Sequence, residues 1–198
     1  MKKTQNILII NAHQFYPSSE GKLNQSLVDL VKELLEEEGH QLKLTKIDDG
    51  YQIGDEVEKH EWADLIITQM PVYWFGGPWP YKKYIDEVMN ELIGRRNLAL
   101  SDGRSRYHDK PYGSGGLDHG KKFLLSTTWN APKIAFDDQE QYLFAGLSQD
   151  DVMIGITSVY KFMGFEILPG FACYDVKKAP QIEEDFKRYK DKLANIFN

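Results

Sequence analysis

The chain has 198 residues, of which 41% are hydrophobic, 13% aromatic and 27% charged, and its formal net charge is −6. This length and apolar content suit one α/β domain over residues 1–198. No run approaches the ~18 apolar residues of a membrane span, and basic residues do not alternate with aromatic ones as they do in nucleic-acid-binding chains. The apolar run at residues 7–10 lacks a cleavage site. We therefore expect a cytoplasmic protein without a transmembrane segment or a nucleic-acid partner.

The first elements follow from hydrophobic periodicity. The apolar run at residues 6–11 predicts a buried strand, and leucines at 23, 27, 30 and 34 recur at helical spacing, with Gly39 as the stop. Residues 94–120 are polar and Gly-rich without a period, and a loop of that length is usually functional or disordered. Further strands are predicted at 41–47, 65–70, 121–128 and 165–174, and further helices at 54–61, from the late seventies to about 92, at 149–163 and at 182–196.

Alternating strands and helices predict a fold of the α/β class with a parallel sheet. Five strands with about five helices fit a flavodoxin-like sheet of order 2-1-3-4-5 with helices on both faces. Ligands of such sheets bind beyond the carboxyl ends of the strands, at the topological switch point. Here those ends lead into the loops after the first, third and fourth strands, so these three loops are the predicted site.

The first loop, residues 18–26, joins a buried strand to a helix whose first N–H groups favour a phosphate. Gly21 permits close approach of the backbone, and Ser19, Asn24 and Ser26 offer neutral hydrogen bonds. The loop matches neither Gly-x-Gly-x-x-Gly nor a Walker A motif. An ordinary N-cap at Ser18 or Ser19 is the alternative interpretation.

The second loop follows the third strand and is rich in aromatic residues, proline and glycine. Pro71 and Pro78 restrict the backbone, and the two glycines at 76–77 permit approach by a flat ring. The segment therefore predicts one wall for a planar ligand, with a hydrophobic lid or dimer contact as the alternative. Its candidate ligand-binding residues are Pro71, Val72, Tyr73, Trp74 and Phe75.

The third loop follows the fourth strand and faces the same predicted crevice. Trp129 could lie at the edge of the ring, and Thr127, Thr128 and Asn130 could hydrogen-bond its polar side. The sequence contains no Gly-x-Ser-x-Gly elbow, which would indicate a hydrolase nucleophile, and no His-Glu-x-x-His pair, which would indicate a metal site. Aromatic and amide groups without a strong acid, base or nucleophile suit chemistry that a cofactor carries, and no metal site is predicted.

Histidines and the single cysteine complete the candidates. Near the glycines of 113–116, Tyr112 could stack on a substrate, and His108 and His119 are candidate proton donors, although solvent exposure is the safer interpretation for both. We expect the histidines at 13, 40 and 60 to lie at the surface. Cys173 lies in an apolar run, which predicts a buried structural thiol and excludes an internal disulfide.

Motifs along nearly the whole chain resemble the modulator of drug activity B family of NAD(P)H:quinone oxidoreductases. The most specific are Gln-Met-Pro-Val-Tyr-Trp at 69–74 and Thr-Trp-Asn-Ala-Pro at 128–132. The chain departs from the family at His13 and Gln14, and at Val72, where the family often has glycine. The other matching segments are residues 6–11, 21–24, 62–64, 78–79, 82–86, 101–104 and 112–116.

The resemblance implies a flavodoxin-like homodimer with one FAD per subunit, which carries a hydride from NADPH or NADH to a quinone by a ping-pong route. By motif, residues 19–26, including Leu23, would hold the FAD phosphates and ribityl chain. Pro71 to Trp74 and Thr127 to Asn130 would frame the isoalloxazine, and Tyr112 would be a catalytic residue beside flavin and substrate.

Three other functions stay open at the level of sequence. They are an FMN-dependent azo- or nitroreductase, a regulatory subunit that gates a membrane transporter, and a one-electron flavodoxin carrier. The long substrate-side loop argues against the carrier, because a carrier needs an open flavin edge. The physiological quinone is not readable, and neither is the choice between NADPH and NADH, for which the arginines at 95, 96, 104 and 106 are possible contacts.

Overall fold

The computed structural model describes residues 4–96, 102–104 and 110–197. Its elements follow the predicted chain order. They are β1 (Asn6–Asn11), α1 (Lys22–Glu37), β2 (Gln41–Lys46), α2 (Ile53–Trp62), β3 (Leu65–Pro71), α3 (Trp79–Arg95), β4 (Lys122–Thr128), α4 (Gln149–Val152), α5 (Ile154–Met163), β5 (Glu166–Ile167), β6 (Phe171–Cys173) and α6 (Ile182–Phe197), with short 3₁₀ turns at Ile47–Asp49 and Lys133–Ala135.

All strand pairs of the sheet are parallel, and the strand order is β2-β1-β3-β4-β5. The predicted order 2-1-3-4-5 is confirmed. In the register, Ile9 lies opposite Leu44 on one side and Ile67 on the other, and Ile67 lies opposite Leu124. This register brings the carboxyl ends of β1, β3 and β4 to one edge, where the three predicted site loops begin.

The fifth strand is broken, so the prediction of one continuous strand at 165–174 was wrong. β5 pairs with the start of β4 and β6 pairs with its end. Between them, the Gly170 N–H donates to the Asp150 carboxylate instead of to a ladder partner (3.0 and 3.2 Å). Pro169 has no N–H to donate, which also favours interruption of the ladder there.

The predicted helix at 149–163 is divided at Met153. α4 begins with a capping box in which the Ser148 hydroxyl accepts the Asp151 N–H. Met153 then adopts φ −91° and ψ 11°, outside the helical range, and α5 begins at the next residue. Met153 itself is buried.

Two apolar clusters cover the two faces of the sheet. The side chains of β1 alternate between them, with Ile7 and Ile9 facing α1 and α6, and Leu8 and Ile10 facing α2, α3 and α5. This alternation is the period of two that a strand imposes on its side chains. Cys173 is fully buried in the cluster under α1 and α6, as predicted. Burial raises the pKa of its thiol well above the ordinary value.

Three histidines that we expected at the surface are buried: His13, His40 and His60. His40 accepts the Gln5 N–H at Nδ1 (3.1 Å) and packs on Phe197. The expectation was wrong because burial depends on residues outside each local segment, such as Phe197 beside His40 and Tyr160 beside His60, and the sequence around each histidine does not reveal them. Along residues 4–96, 102–104 and 110–197, no helix combines the length and the apolar character needed to cross a bilayer.

Candidate functional site

A crevice of about 810 Å³ lies beyond the carboxyl ends of β1, β3 and β4. All three predicted loops contribute to it, and so does the segment that follows β6. Its described lining residues are Tyr16, Ser18, Ser19, Pro71, Val72, Tyr73, Trp74, Gly77, Pro78, Trp79, Thr128, Asn130, Val176 and Lys177. The structure therefore brings together seven of the predicted ligand-binding residues: Ser19, Pro71, Val72, Tyr73, Trp74, Thr128 and Asn130.

The first loop is a compact turn built around a histidine. Tyr16 and Ser19 exchange backbone hydrogen bonds (3.2 and 2.8 Å). The His13 Nε2–H donates to the Ser19 carbonyl (3.0 Å), which draws the loop over the buried ring. A Cβ on Gly21 would lie 2.6–2.8 Å from that ring, and Gly21 has φ +80°. Glycine is thus required there both by space and by backbone conformation.

The start of α1 keeps its N–H groups free for a ligand. Gly21 is the N-cap, so the alternative of a serine cap at Ser18 or Ser19 is wrong, and no side chain among the described residues caps this helix. The first N–H groups of a helix have no intrahelical partner and carry the positive end of its dipole. No acidic side chain lies in the first turn. The depression at this helix start, lined by Gly21, Lys22 and Ser26, therefore suits a phosphate.

The predicted α1 residues divide into three roles. Asn24 is buried, and its amide bonds to Asn11 (2.7 Å) and Gln69 (3.1 Å) instead of reaching the crevice. Leu23 packs against the core under α1. Ser26 is exposed, donates to the Lys22 carbonyl (3.0 Å), and lines a smaller adjoining depression together with Gly21.

The second loop is a tight hairpin with two aromatic residues at its tip. Tyr73 and Gly76 exchange backbone hydrogen bonds of 2.9 and 3.1 Å. Between them, Trp74 and Phe75 have φ of +49° and +66°. A type I′ turn requires positive φ at both central residues, which normally favours glycine and asparagine. Trp74 is 94% exposed, so a strained turn holds a large ring out over the crevice.

Tyr73 joins the second loop to the first. Its hydroxyl lies 2.8 Å from the Ser19 hydroxyl and 3.0 Å from the Gln14 carbonyl, within hydrogen-bonding distance of both. The Tyr73 ring also meets the edge of Tyr16 at 5.4 Å. Burial raises the pKa of Tyr73, so the phenol is neutral and keeps its proton for this junction. The aromatic wall and the phosphate loop are thereby held at a fixed separation.

The third loop presents alternate residues to the crevice. Thr128 and Asn130 line it, whereas Thr127 and Trp129 turn inward. The Trp129 Nε1–H donates to the Thr127 hydroxyl (2.9 Å), and its ring packs on Phe136. The structure thus does not bring the predicted Thr127 and Trp129 side chains to the crevice, since the period of two along the strand continues through the loop.

Phe75 and Tyr112 lie away from the crevice lining. The Phe75 ring leans on Phe144 at 6.0 Å. Tyr112 is 72% exposed and lines a separate apolar cavity of about 500 Å³ beside α3 and α5. Its ring packs on Phe162 and lies under the Arg104 guanidinium. Within one chain, Tyr112 and the crevice therefore belong to different cavities.

The sequence interpretation missed several lining residues, of which Lys177 matters most. Lys177 donates to the Ser18 carbonyl (3.0 Å), and it is the one charged side chain among the described residues that line the crevice. It follows β6 at the same sheet edge as the three predicted loops. That position was the available signal, and a cation there favours an anionic ligand group in the crevice.

The remaining candidates have other partners. Arg95 pairs with Glu91, and Arg104 pairs with Asp102. Arg96 forms a bidentate pair with a buried carboxylate near the start of β4. His119 is exposed, and Arg106 and His108 lie outside the described residues.

Comparison with known proteins gives the class. A family model described as a flavodoxin-like fold matches residues 5–196. The NADPH:quinone oxidoreductase MdaB of Haemophilus influenzae is 41% identical over 193 residues, which cover 97% of this chain and 99% of that protein. An NAD(P)H:quinone oxidoreductase from Methanothermobacter marburgensis superposes with a TM-score of 0.68 at 12% identity, covering 99% and 98%. An FMN-dependent NADH-azoreductase from Bacillus anthracis, in complex with FMN, superposes with a TM-score of 0.68 at 14% sequence identity. The superposition covers 98% of this chain and 100% of that chain.

The chain belongs to the flavodoxin-like family, and within it to the modulator of drug activity B group that its motifs indicated.

Proposed function

We propose that this protein is a flavin-dependent NAD(P)H:quinone oxidoreductase that binds FAD and reduces quinones by two electrons in a ping-pong cycle. The supporting relative is the MdaB quinone oxidoreductase of Haemophilus influenzae, at 41% identity over nearly the full length of both chains. The observation that carries the proposal is the grouping at one sheet edge of a crevice lined by Lys177 and an exposed Trp74 with an adjoining depression at the uncapped start of α1.

The residues present fit a flavin. The free N–H groups at the start of α1 and the Lys177 ammonium complement the phosphates. Pro71, Val72 and Trp74 offer an apolar surface for the tricyclic ring, and Thr128 and Asn130 offer hydrogen bonds to its polar edge. Beneath this wall, a Cβ on Gly77 would lie 3.1 Å from Met70, so the loop is seated directly on the core.

The role of the protein in this chemistry is orientation and exclusion of water. A bound flavin would supply the redox chemistry, taking a hydride from a nicotinamide and passing it to a quinone. Tyr73 holds the aromatic wall at a fixed distance from the phosphate loop through Ser19. Trp74 would cover one face of a bound flavin ring, and the tight turn limits the motion of its backbone. A substrate that stacks in this crevice is thus held at a defined depth.

We further propose a homodimer in which Tyr112 of one protomer faces the crevice of the other. Tyr112 lines an exposed apolar cavity together with Met89, Ile93 and Phe162, and this cavity is separate from the crevice of its own chain. A two-fold related copy would cover such a surface and place the phenol in trans. There the hydroxyl could donate a hydrogen bond to a quinone oxygen, which is the catalytic role proposed for Tyr112.

Identification of the cofactor and separate half-reactions test this function. FAD released by denaturation and identified by chromatography would support the proposal, whereas FMN would place the chain with the FMN reductases.

In stopped-flow experiments, we expect Tyr112→Phe to slow reoxidation by quinone more than reduction by NADPH. An unchanged quinone half-reaction would remove Tyr112 from catalysis. Comparing NADPH with NADH in the first half-reaction assigns the donor, and cell fractionation tests the proposed cytoplasmic location.

A further inference from the structure

A continuous chain of buried side-chain amides runs beneath the three site loops. The Ser126 hydroxyl donates to Gln69 (2.5 Å), Gln69 donates to Asn24 (3.1 Å), and Asn24 donates to Asn11 (2.7 Å). Asn11 then donates to Gln25 (2.9 Å). Each of the first four residues is at most 4% exposed. The donors all run in one direction, an arrangement in which successive hydrogen bonds polarise and strengthen one another.

The chain connects the elements that carry the proposed flavin site. Ser126 and Gln69 lie two residues before the ends of β4 and β3, and Asn11 ends β1. Asn24 lies in the first turn of α1, next to the free N–H groups. Asn11 also accepts the His13 N–H (3.2 Å), so the same network holds the base of the phosphate loop.

Stability alone does not explain polar residues at these positions. Replacing a buried hydrogen-bonded pair by apolar groups of the same shape can be nearly neutral for folding, and Ile67, two residues earlier on β3, is a buried apolar residue. What an apolar pair could not supply is directional contact. The bond from Gln69 fixes the position of Asn24 along the axis of α1, and thereby the height of the first turn above the sheet.

We infer that Gln69 is a positioning residue, which acts through Asn24 to hold the start of α1 where a flavin's phosphate group binds. The inference rests on the proposed function. It predicts a difference between ligands that a general loss of folding would not produce. Flavins that carry phosphate depend on Gln69, whereas riboflavin, which has the same ring and no phosphate, does not.

The test compares riboflavin, FMN and FAD binding to flavin-free protein by fluorescence titration. For Gln69→Met, which keeps the length and removes both hydrogen bonds, we expect FMN and FAD to bind about tenfold more weakly, a free-energy change equal to a typical buried hydrogen bond. Riboflavin affinity should stay within about twofold of wild type. The matched control is Ser126→Ala, which breaks the bond on the other side of Gln69 and leaves the Gln69–Asn24 bond intact. It should lower thermal stability, by less than Gln69→Met because it removes one of the two bonds, and leave all three affinities unchanged.

Gln69→Glu provides a second test if Gln69→Met folds poorly. The introduced side chain, when ionised, accepts from Ser126 but has no proton for Asn24, whereas the protonated acid donates to it. Burial raises the pKa of such a carboxyl. We therefore expect FAD affinity of this variant to approach that of wild type as the pH is lowered. A flat affinity ratio to wild type across pH would contradict the inference.

The possible outcomes are distinguishable. If the wild-type protein binds none of the three flavins, the proposed function itself fails. If wild type binds them but Gln69→Met weakens riboflavin as much as FMN, or if Ser126→Ala shows the same selective loss, then Gln69 is not a positioning residue.

Discussion

At the scale of single residues, Trp74 combines exposure with an unfavourable backbone. Its φ of +49° costs a non-glycine residue roughly 1 kcal/mol. Because the ring is 94% exposed, little packing offsets that cost. We predict that Trp74→Gly raises the free energy of unfolding of the flavin-free protein by about 1 kcal/mol in urea denaturation and weakens flavin binding about tenfold.

Trp74→Ala is the control for this prediction. Alanine removes the ring but keeps the backbone penalty, so it should weaken flavin binding equally without raising stability. Equal stability of the two variants would show that the turn is unstrained. Unchanged flavin affinity in both would remove Trp74 from the site.

His60 predicts a pH dependence of stability. The ring is buried on Tyr160, its Nδ1–H donates to the Glu56 carbonyl (2.9 Å), and Nε2 has no partner among the described residues. Burial lowers the pKa of His60 to about 4, against 6.5 for the exposed group. Between those pH values the unfolded chain binds more protons at His60 than the folded chain does. The stability that comes from keeping His60 neutral is therefore fully present above pH 6.5 and is lost as the pH falls toward 4.

The measurement is urea denaturation at about pH 7 and about pH 5. We expect wild type to lose about 2 kcal/mol more between these conditions than His60→Phe, which cannot be protonated. His119→Gln, at an exposed position, should behave as wild type. If wild type and His60→Phe lose equal stability, the histidine is not held neutral.

At the scale of elements, one ion pair ties the end of α3 to the start of β4. Arg96 donates to both oxygens of Asp118 (2.8 and 3.1 Å), and Asp118 is 5% exposed. Removing Arg96 would leave the buried Asp118 carboxylate with Lys121 as its remaining cationic partner among the described residues, at 3.5 Å. We predict that Arg96→Met lowers the free energy of unfolding by about 2 kcal/mol, below the penalty for a fully uncompensated charge.

Arg95→Met is the matched control, because Arg95 pairs with Glu91 on the exposed face of the same helix. It should cost less than about 1 kcal/mol by the same chemical denaturation. Similar losses for both variants would mean that the buried pair does not dock α3.

The order of elements was predictable because apolar period and turn residues are local signals. The direction of individual side chains was less predictable. The inward turn of Trp129 depends on a strand period that continues past β4. The burial of His60 depends on the contact between α2 and α5. The break at Gly170 depends on Asp150, which is remote in sequence. The site loops could be named from composition, whereas Lys177 could be found only once β6 had been placed in the sheet.

At the scale of the whole molecule, the separation of Tyr112 from the crevice predicts activity shared between protomers. Mixed dimers of Trp74→Gly and Tyr112→Phe would contain one site with both changes and one intact site if Tyr112 acts in trans. We therefore predict that co-expression of the two variants recovers quinone turnover above that of either alone. No recovery, with dimers shown to mix, would mean that both residues act within one chain.

We have proposed that the crevice holds a flavin which passes electrons from a nicotinamide to a quinone. The most direct measurement is the visible absorbance of the purified protein under anaerobic conditions, with NADPH and then a quinone added. We expect a yellow protein that bleaches with NADPH and regains its colour with the quinone. A colourless protein that takes up no FAD or FMN when either is supplied in excess would contradict it.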